Sequence, residues 1–285
     1  IGCNQACLDH VFSKKIASCL VNPVACHETE IELKPVDKSR KIAVVGAGPA
    51  GLAFSAAAAG RGHNVVLFEA SDKIGGQFNL AKTIPGKEEF YETLRYFSRQ
   101  LEVNGVDTRL NERVDKEKLE SEGFDSIVIA TGILPRVPNI VGIDHPKVLS
   151  YLDVLQKRVE PGERVAIIGA GGIGFDVAEF LLHDVHEGPN PQSIENFMAY
   201  WGVDMAFKNN GGLEKSVVSK PKRAVYLLQR KDEKVGARLG KSTGWIHRSK
   251  LKKSKVKMLN GVKYEKIDDL GLHLNIKDEA VVLDV

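Results

Sequence analysis

Residues 41–52 read KIAVVGAGPAGL, a short β-branched run that ends in a Gly-x-Gly-x-x-Gly turn. This pattern predicts a buried strand that passes directly into a helix. In such a turn Gly46 reverses the chain, Gly48 lets a pyrophosphate approach the backbone, and Gly51 lets the helix lie close to the strand. Free N–H groups at the start of the helix then face the phosphates. Residues 46–51, called the first cradle below, therefore predict a dinucleotide-binding fold.

A second strand with an acidic end follows the first cradle. Residues 63–68 (HNVVLF) predict this strand after a helix over 50–59, and Glu69 comes directly after it. A carboxylate at this place hydrogen-bonds a ribose hydroxyl of the bound dinucleotide. The alternative is that Glu69 is only a solvated strand end. The order of strand, turn, helix, strand and acid favours the cofactor.

The glycine pattern returns about 120 residues later. Residues 164–174 read RVAIIGAGGIG, and a helix over 175–182 is predicted to follow. One such motif is a weak signal, whereas two in one chain predict two dinucleotide-binding units. Residues 169–174 are called the second cradle below. The predicted class is α/β with two Rossmann-like dinucleotide-binding domains.

The two units differ at the end of their second strand. In the second unit a strand over 224–229 leads into Arg230 and Lys231, where the first unit has Glu69. A carboxylate repels a 2'-phosphate, whereas guanidinium and ammonium groups bind it. The alternative is a solvated basic pair, but the position favours NADPH over NADH. The pattern predicts FAD in the first unit and NADPH in the second.

Two further loops suit the ligand-binding edge of the first sheet. Residues 73–78 (KIGGQF) hold a paired-glycine turn where backbone can approach a ligand, with a plain loop as the alternative. Residues 125–132 (DSIVIATG) predict a strand that ends in a corner of small residues. Ligands of open α/β sheets bind at such strand ends, although a corner made for packing alone is the competing interpretation.

The remaining segments carry weaker signals. Residues 88–103 predict a helix with Phe90, Leu94, Phe97 and Leu101 on one face. Residues 183–222 read as an insertion with an aromatic middle. The lysine-rich run over 250–257 predicts the solvated face of a helix. The apolar run over 280–285 predicts a strand that needs neighbours to bury it.

Composition and cysteines restrict the class of protein. With 43% hydrophobic and 27% charged residues and a net charge of +3, the chain is an ordinary globular protein with no sign of nucleic-acid or membrane binding. All four cysteines lie within the first 26 residues. This crowding favours a metal site in a reducing, cytoplasmic compartment over disulfides. An iron-sulfur cluster, a zinc ion and unligated thiols all stay open.

Several motifs closely resemble those of bacterial NADPH-dependent 2,4-dienoyl-CoA reductases, within the wider group that includes trimethylamine dehydrogenase. The resemblance covers nearly the whole chain. The matching stretches are IGCNQAC at 1–7, CLVNP at 19–23, GGQFN at 75–79, PGKEEFY at 85–91, HPKVLSY at 145–151, GK at 240–241 and TGWIHR at 243–248.

The resemblance implies a chain of redox domains. In that family an FMN barrel comes first, then a 4Fe-4S cluster, then an FAD domain into which the NADPH domain is inserted. It implies a cluster segment over 1–35, an incomplete FAD domain over 36–150 and an NADPH domain over 151–285. Cys3, Cys7 and Cys19 would be three of the four cluster ligands, and the family places the fourth three residues before Cys3. Cys26 matches no ligand position.

The resemblance also implies site residues for both nucleotides, and no catalytic residue. Those for FAD are Gly46, Gly48, Ala50, Gly51, Glu69, Gln77, Lys87, backbone near Val114, and Ala130, Thr131 and Gly132. Those for NADPH are Gly169, Gly171, Gly172, Ile173 and Gly174, with Arg230 and Lys231 on the 2'-phosphate.

The implied function is electron transfer. Hydride passes from NADPH to FAD, and electrons continue through the cluster to the FMN barrel, which reduces the dienoyl thioester. We expect the present chain to lack that barrel, to be inactive on dienoyl-CoA by itself and to hold a labile cluster or none. Two other classes stay open, namely a free-standing NADPH:acceptor flavoprotein that resembles the glutamate synthase small subunit, and an inert dinucleotide-binding fragment.

Overall fold

β-Branched runs that end in glycine turns form the centre of each half of the chain. The structure, a computed structural model, describes residues 2–182 and 193–285. Packing divides these into two units, the described parts of Ile1–Lys82 with Glu89–Pro135, and of Thr83–Glu88 with Arg136–Val285. Each unit contains one parallel sheet, so the predicted α/β class with Rossmann-like sheets is confirmed. The described helices include none with the length and apolar character of a transmembrane span.

The first unit is built on a parallel sheet with the strand order β3-β2-β1-β4. Its strands are β1 (Lys41–Val45), β2 (Asn64–Phe68), β3 (Asp107–Arg109) and β4 (Ser126–Ile129). Its helices are α1 (Leu8–Phe12), α2 (Pro49–Gly60), α3 (Phe78–Ala81), α4 (Phe90–Val103) and α5 (Lys116–Ser121).

Both faces of the central strands are buried, which explains their continuous apolar sequence. On one face Val44 and Leu67 pack in a cluster with Leu52 of α2 and with the apolar side of α4. On the other face Val66 and Phe68 pack against Leu119 of α5. The helix predicted over 88–103 is confirmed, and its apolar face lies in the core: Leu94, Phe97 and Leu101 are buried, and Phe90 stacks on Phe78 with ring centroids 4.6 Å apart.

The second unit combines a parallel sheet of order β5-β6-β7 with an antiparallel sheet of order β8-β9-β10. Its strands are β5 (Arg164–Ile168), β6 (Ala224–Leu228), β7 (Lys257–Leu259), β8 (Val262–Asp268), β9 (Gly271–Ile276) and β10 (Glu279–Leu283). Its helices are α6 (Tyr151–Leu155), α7 (Gly172–Leu182), α8 (Ile194–Trp201) and α9 (Gly244–Lys253), with a short 3-10 helix over Asn210–Gly212.

Three weaker predictions have different outcomes. The apolar run over 280–285 finds its neighbour, because β10 pairs with β9 and buries Leu283. The interpretation of 250–257 as one solvated helix face is wrong, because α9 ends at Lys253 and β7 begins at Lys257. Leu251 and Val256 of that run are buried. The insertion predicted over 183–222 contains α8, while its residues 183–192 lie outside the described part.

A buried carboxylate joins α7 to α9. Glu179 is only 3% exposed, and its two oxygens lie 2.8 Å from Nδ1 of His247 and 3.2 Å from Nζ of Lys250. Burial raises the pKa of the Glu179 carboxyl, but the hydrogen bond to His247 and the charge of Lys250 outweigh burial and bring it below the ordinary value. The ionised form of Glu179 therefore stabilises the second unit.

This arrangement predicts a pH-dependent contribution of Glu179 to stability. A carboxyl whose pKa is lower in the folded state stabilises fully above its unfolded pKa of about 4.3, and the contribution is lost as the pH falls through the folded pKa. We expect Glu179→Gln to lower the free energy of unfolding near pH 6 by roughly 2–4 kcal/mol, and this difference to shrink below about pH 4. Urea unfolding of both proteins between pH 3 and 6, with exposed Glu163→Gln as the control, measures it. A difference that is constant across this range would contradict the assignment.

Candidate functional site

The first cradle is formed where the backbone of β1 crosses the start of α2. Gly46 has φ +104°, and a Cβ built on it would lie 2.5 Å from the carbonyl oxygen of Ala130. A Cβ on Gly51 would lie 1.9 Å from the carbonyl oxygen of Gly46. Around Gly48 a Cβ would meet no described atom within 4 Å. Two of the glycines are thus required by packing, whereas Gly48 faces the open space where a ligand phosphate is expected.

The start of α2 offers hydrogen-bond donors to that space. Its N-cap is Gly48, no described side chain caps it, and Pro49 occupies the first turn. The first N–H groups of a helix have no partner within the helix, and they form the positive end of its dipole. The N–H groups of Ala50 and Gly51 belong to this turn, so the cradle is suited to an anion such as a pyrophosphate.

Glu69 is held at the sheet edge beside the first cradle. Its Oε2 accepts a hydrogen bond from the N–H of Ala47 at 2.8 Å, and its Oε1 accepts bonds from the N–H and the hydroxyl of Ser71, both at 2.9 Å. The carboxylate therefore has a fixed orientation. Each carboxylate oxygen can accept further bonds, so a ribose hydroxyl can still be recognised.

The paired-glycine loop packs against the first cradle. Gly75 donates its N–H to the carbonyl of Ala47 at 2.7 Å, and a Cβ on Gly76 would lie 3.1 Å from Cα of Gly48. Gln77 donates through Nε2 to the carbonyl of Ile133 at 2.9 Å, which links the loop to the segment that follows β4. The structure thus brings together the cradle, the loop and the corner of small residues Ala130, Thr131 and Gly132.

Two residues assigned to FAD by the resemblance make other contacts in the structure. Lys87 belongs to the second unit, where its Nζ is 2.7 Å from both carboxylate oxygens of Asp176 on α7. Val114 packs against the cluster around Phe68 on the α5 side of the first sheet. Local spacing singled out neither residue, and their roles at FAD stay predictions.

The second cradle repeats the backbone geometry of the first. Gly169 has φ +113°, and a Cβ on Gly174 would lie 2.0 Å from its carbonyl oxygen. A Cβ on Gly171 or Gly172 would meet no described atom within 4 Å. The N–H of Gly169 donates to Leu228 at the end of β6, as the N–H of Gly46 donates to Phe68 at the end of β2. The neighbouring Ile173 exposes half of its surface.

The basic pair at the end of β6 is available to a ligand. Arg230 and Lys231 are exposed, and neither side chain has a hydrogen bond or ion pair to the rest of the described chain. Burial raises the pKa of the nearby Tyr264 to about 12, and the positive charge of Arg230 opposes this rise. Two cations without partners next to a phosphate cradle suit a 2'-phosphate.

The cysteines do not form a comparable site. All four are free thiols, with Cys3 and Cys19 half-buried and Cys7 and Cys26 exposed. In the described part of the chain, no group of three or more His, Cys, Asp or Glu side chains is arranged to hold a metal ion. The N–H groups of Asn22 and Val21 lower the pKa of the Cys19 thiol. As they lie, the cysteines do not fit a cluster, and no step is assigned to one.

Two cradles with opposite charges beside them are typical of an oxidoreductase that uses a flavin and a pyridine nucleotide. Residues 40–284 match the family model described as pyridine nucleotide-disulphide oxidoreductase, and the chain belongs to this family. Because all four cysteines precede residue 27, the matched region contains no redox disulfide.

Known relatives are longer than this chain. A metal reductase from Desulforamulus reducens is 34% identical over 264 residues, which cover 91% of this chain and 38% of the relative. An NADH oxidase from Thermoanaerobacter brockii is 36% identical over 64% of this chain and 29% of its own length. The structure of a 2-naphthoyl-CoA reductase complex superposes with a TM-score of 0.81 at 28% identity, over 99% of this chain and 38% of that chain. The chain thus spans well under half the length of these relatives.

The cradle geometry predicts opposite effects for two alanine substitutions. Gly48→Ala adds a methyl group where only a ligand would meet it, so we expect normal thermal stability with FAD content reduced roughly tenfold or more. Gly51→Ala overlaps backbone, so we expect a loss of about 1–3 kcal/mol in unfolding free energy. Thermal melts and flavin absorbance per chain measure both.

Gly162→Ala, which lies in open space outside both cradles, is the matched control for Gly48→Ala. Unchanged flavin content in Gly48→Ala would contradict the location of the site.

Proposed function

We propose that this chain binds FAD at the first cradle and NADPH at the second, and transfers hydride from NADPH to FAD. The observation that carries the proposal is the contrast between two matching cradles. One has the carboxylate of Glu69 beside it, and the other has the cations of Arg230 and Lys231. Membership of the pyridine nucleotide-disulphide oxidoreductase family supports the pair of cofactors.

The first cradle fits FAD by its backbone and its donors. The N–H groups at the start of α2 would bind the pyrophosphate, and Glu69 would accept a hydrogen bond from a ribose hydroxyl. The loop at Gln77 would line the part of the site that holds the flavin ring. When bound, FAD supplies the hydride-accepting ring system. Residues at the carboxyl edge of the sheet would hold the cofactor, and Gly132, with φ +77°, would allow the backbone to approach it closely.

The second cradle fits NADPH. Gly171 and Gly172 leave space for the pyrophosphate, and Ile173 lies in the first turn of α7, next to that space. Arg230 and Lys231 would bind the 2'-phosphate through charge-assisted hydrogen bonds. An NADH molecule lacks this group, so the cations give NADPH its advantage.

For the longer protein we propose reduction of 2,4-dienoyl-CoA at an FMN barrel that receives these electrons. The motif resemblance supports this substrate, and the 2-naphthoyl-CoA reductase, whose name specifies a CoA thioester, matches 99% of this chain. The partner would lie in the remainder of the parent chain. We propose the segments 1–35, 36–150 and 151–285 as its cluster, FAD and NADPH portions. In the described chain the thiols of Cys3, Cys7 and Cys19 are not gathered into a metal site, and we propose them as cluster ligands only together with the fourth ligand that the resemblance places before Cys3. We propose that neither nucleic acid nor a membrane is a partner, and we propose a cytoplasmic location.

The test is anaerobic reduction of the FAD-loaded chain. We expect NADPH to bleach the flavin absorbance, and Arg230→Ala/Lys231→Ala to lower kcat/KM for NADPH roughly 10- to 100-fold with little change for NADH. Both cations are exposed, so their contacts with the phosphate together contribute about 1.4–2.8 kcal/mol. Lys215→Ala/Lys220→Ala removes two exposed charges elsewhere in the same unit and is the control.

Equal use of NADPH and NADH by the wild-type chain would contradict the specificity. Absence of any flavin uptake would contradict the proposed function as a whole.

A further inference from the structure

The basic pair lies on a short loop that is closed by one side chain. This loop, residues 230–234, is called the basic loop below. Gln229, the residue before it, donates through Nε2 to the carbonyl of Lys231 at 3.1 Å and to the carbonyl of Glu233 at 2.8 Å. One amide group therefore joins two carbonyls of the basic loop to the end of β6.

Gln229 is itself fixed by its backbone. Its N–H donates to the carbonyl of Leu259 at 2.8 Å, and its carbonyl accepts from the N–H of Val262 at 3.1 Å. Both partners flank the turn between β7 and β8. The residue whose side chain closes the basic loop is thus attached to the sheet through its backbone.

The turn between β7 and β8 also holds the basic loop from outside. The N–H of Gly261 donates to the carbonyl of Lys231 at 3.2 Å, so this carbonyl has two donors. Nδ2 of Asn260 donates to Oδ1 of Asp232 at 2.9 Å. A loop of five residues with contacts on both sides has little freedom left to lose when a ligand binds.

The two acidic side chains of the basic loop have partners within the described part of the chain, whereas the side chains of Arg230 and Lys231 do not. The carboxylate of Asp232 is bound by Asn260, and that of Glu233 lies 3.1 Å from Nε of Arg238. Arg230 and Lys231 have no such partner among the described residues. The acids are thus satisfied within the protein, and the bases are left for an anionic ligand.

We propose that Gln229 is a positioning residue for coenzyme selectivity: by closing the basic loop it pre-organises Arg230 and Lys231 for the 2'-phosphate of NADPH. The inference rests on the proposed function of the second cradle. Two cations bind a phosphate monoester more tightly when their backbone is already fixed, because the free energy needed to order a mobile loop is subtracted from the affinity. NADH lacks the phosphate, so its affinity does not depend on the fixed conformation of the basic loop.

The test is Gln229→Met, which keeps the length of the side chain and removes both donors. We expect kcat/KM for NADPH to fall about 5- to 10-fold and that for NADH to change less than about twofold, so that the selectivity ratio falls. The dissociation constant of 2',5'-ADP, measured by calorimetry, rises by a similar factor, whereas that of 5'-AMP does not. Gln156→Met, at an exposed position at the end of α6, is the control.

A merely structural role would impair both coenzymes and both adenine nucleotides alike, and that result, like an unchanged ratio, overturns the proposal. If Gln229→Met does not fold, Asn260→Ala decides, because it releases Asp232 from the other side of the basic loop. It is expected to lower the same ratio about two- to threefold, and an unchanged ratio overturns the proposal.

The test separates this inference from the proposed function. If Arg230→Ala/Lys231→Ala leaves the preference for NADPH intact, the assignment of the second cradle has failed. If that variant abolishes the preference while Gln229→Met retains it, only the role of Gln229 has failed.

Discussion

Both cradles depend on one close contact. In each, the carbonyl oxygen of a glycine lies against the Cα of another glycine five residues later. In each cradle a Cβ on the later glycine would lie about 2 Å from that oxygen, at Gly51 against Gly46 and at Gly174 against Gly169. This close crossing brings the start of the helix to the carboxyl edge of the sheet. Because the helix N–H groups then face outward, an anion site follows from packing alone. The geometry is the same twice, so it cannot by itself distinguish one nucleotide from another.

The distinction comes from the residues that follow the neighbouring strand. Beside the first cradle Glu69 is oriented by the backbone of the turn and by Ser71. Beside the second, Arg230 and Lys231 stand on a loop that is fixed by hydrogen bonds to its carbonyls. The same backbone geometry, with a different charge at one position, suits two related dinucleotides. Two such units in one chain agree with its membership of the pyridine nucleotide-disulphide oxidoreductase family.

The sequence predicts the features that depend on local pattern. Spacing predicts β1, β2, β4, β5, β6 and β10, both glycine turns and the apolar face of α4, because burial on a sheet or a helix leaves a period in the chain. It predicts none of β3, β7, β8 and β9. Contacts between distant residues leave no such period. The sequence therefore does not predict three sets of contacts. These are the hydrogen bonds of Glu179 to α9, the ion pair of Lys87 with Asp176 and the hydrogen bonds of Gln229. The lysine-rich composition of 250–257 led to a wrong prediction of one solvated helix face. Leu251 and Val256 are buried there, and the chain passes from the end of α9 into β7.

The central claim is that the chain holds two nucleotides at once, each chosen by the charge beside its cradle. Calorimetric titration of NADP⁺ into the chain saturated with FAD tests this claim most directly. The account predicts one NADP⁺ site per chain with FAD retained, and an affinity for NAD⁺ lower by about tenfold or more. Release of FAD by NADP⁺, or equal affinity for NAD⁺ and NADP⁺, would contradict it.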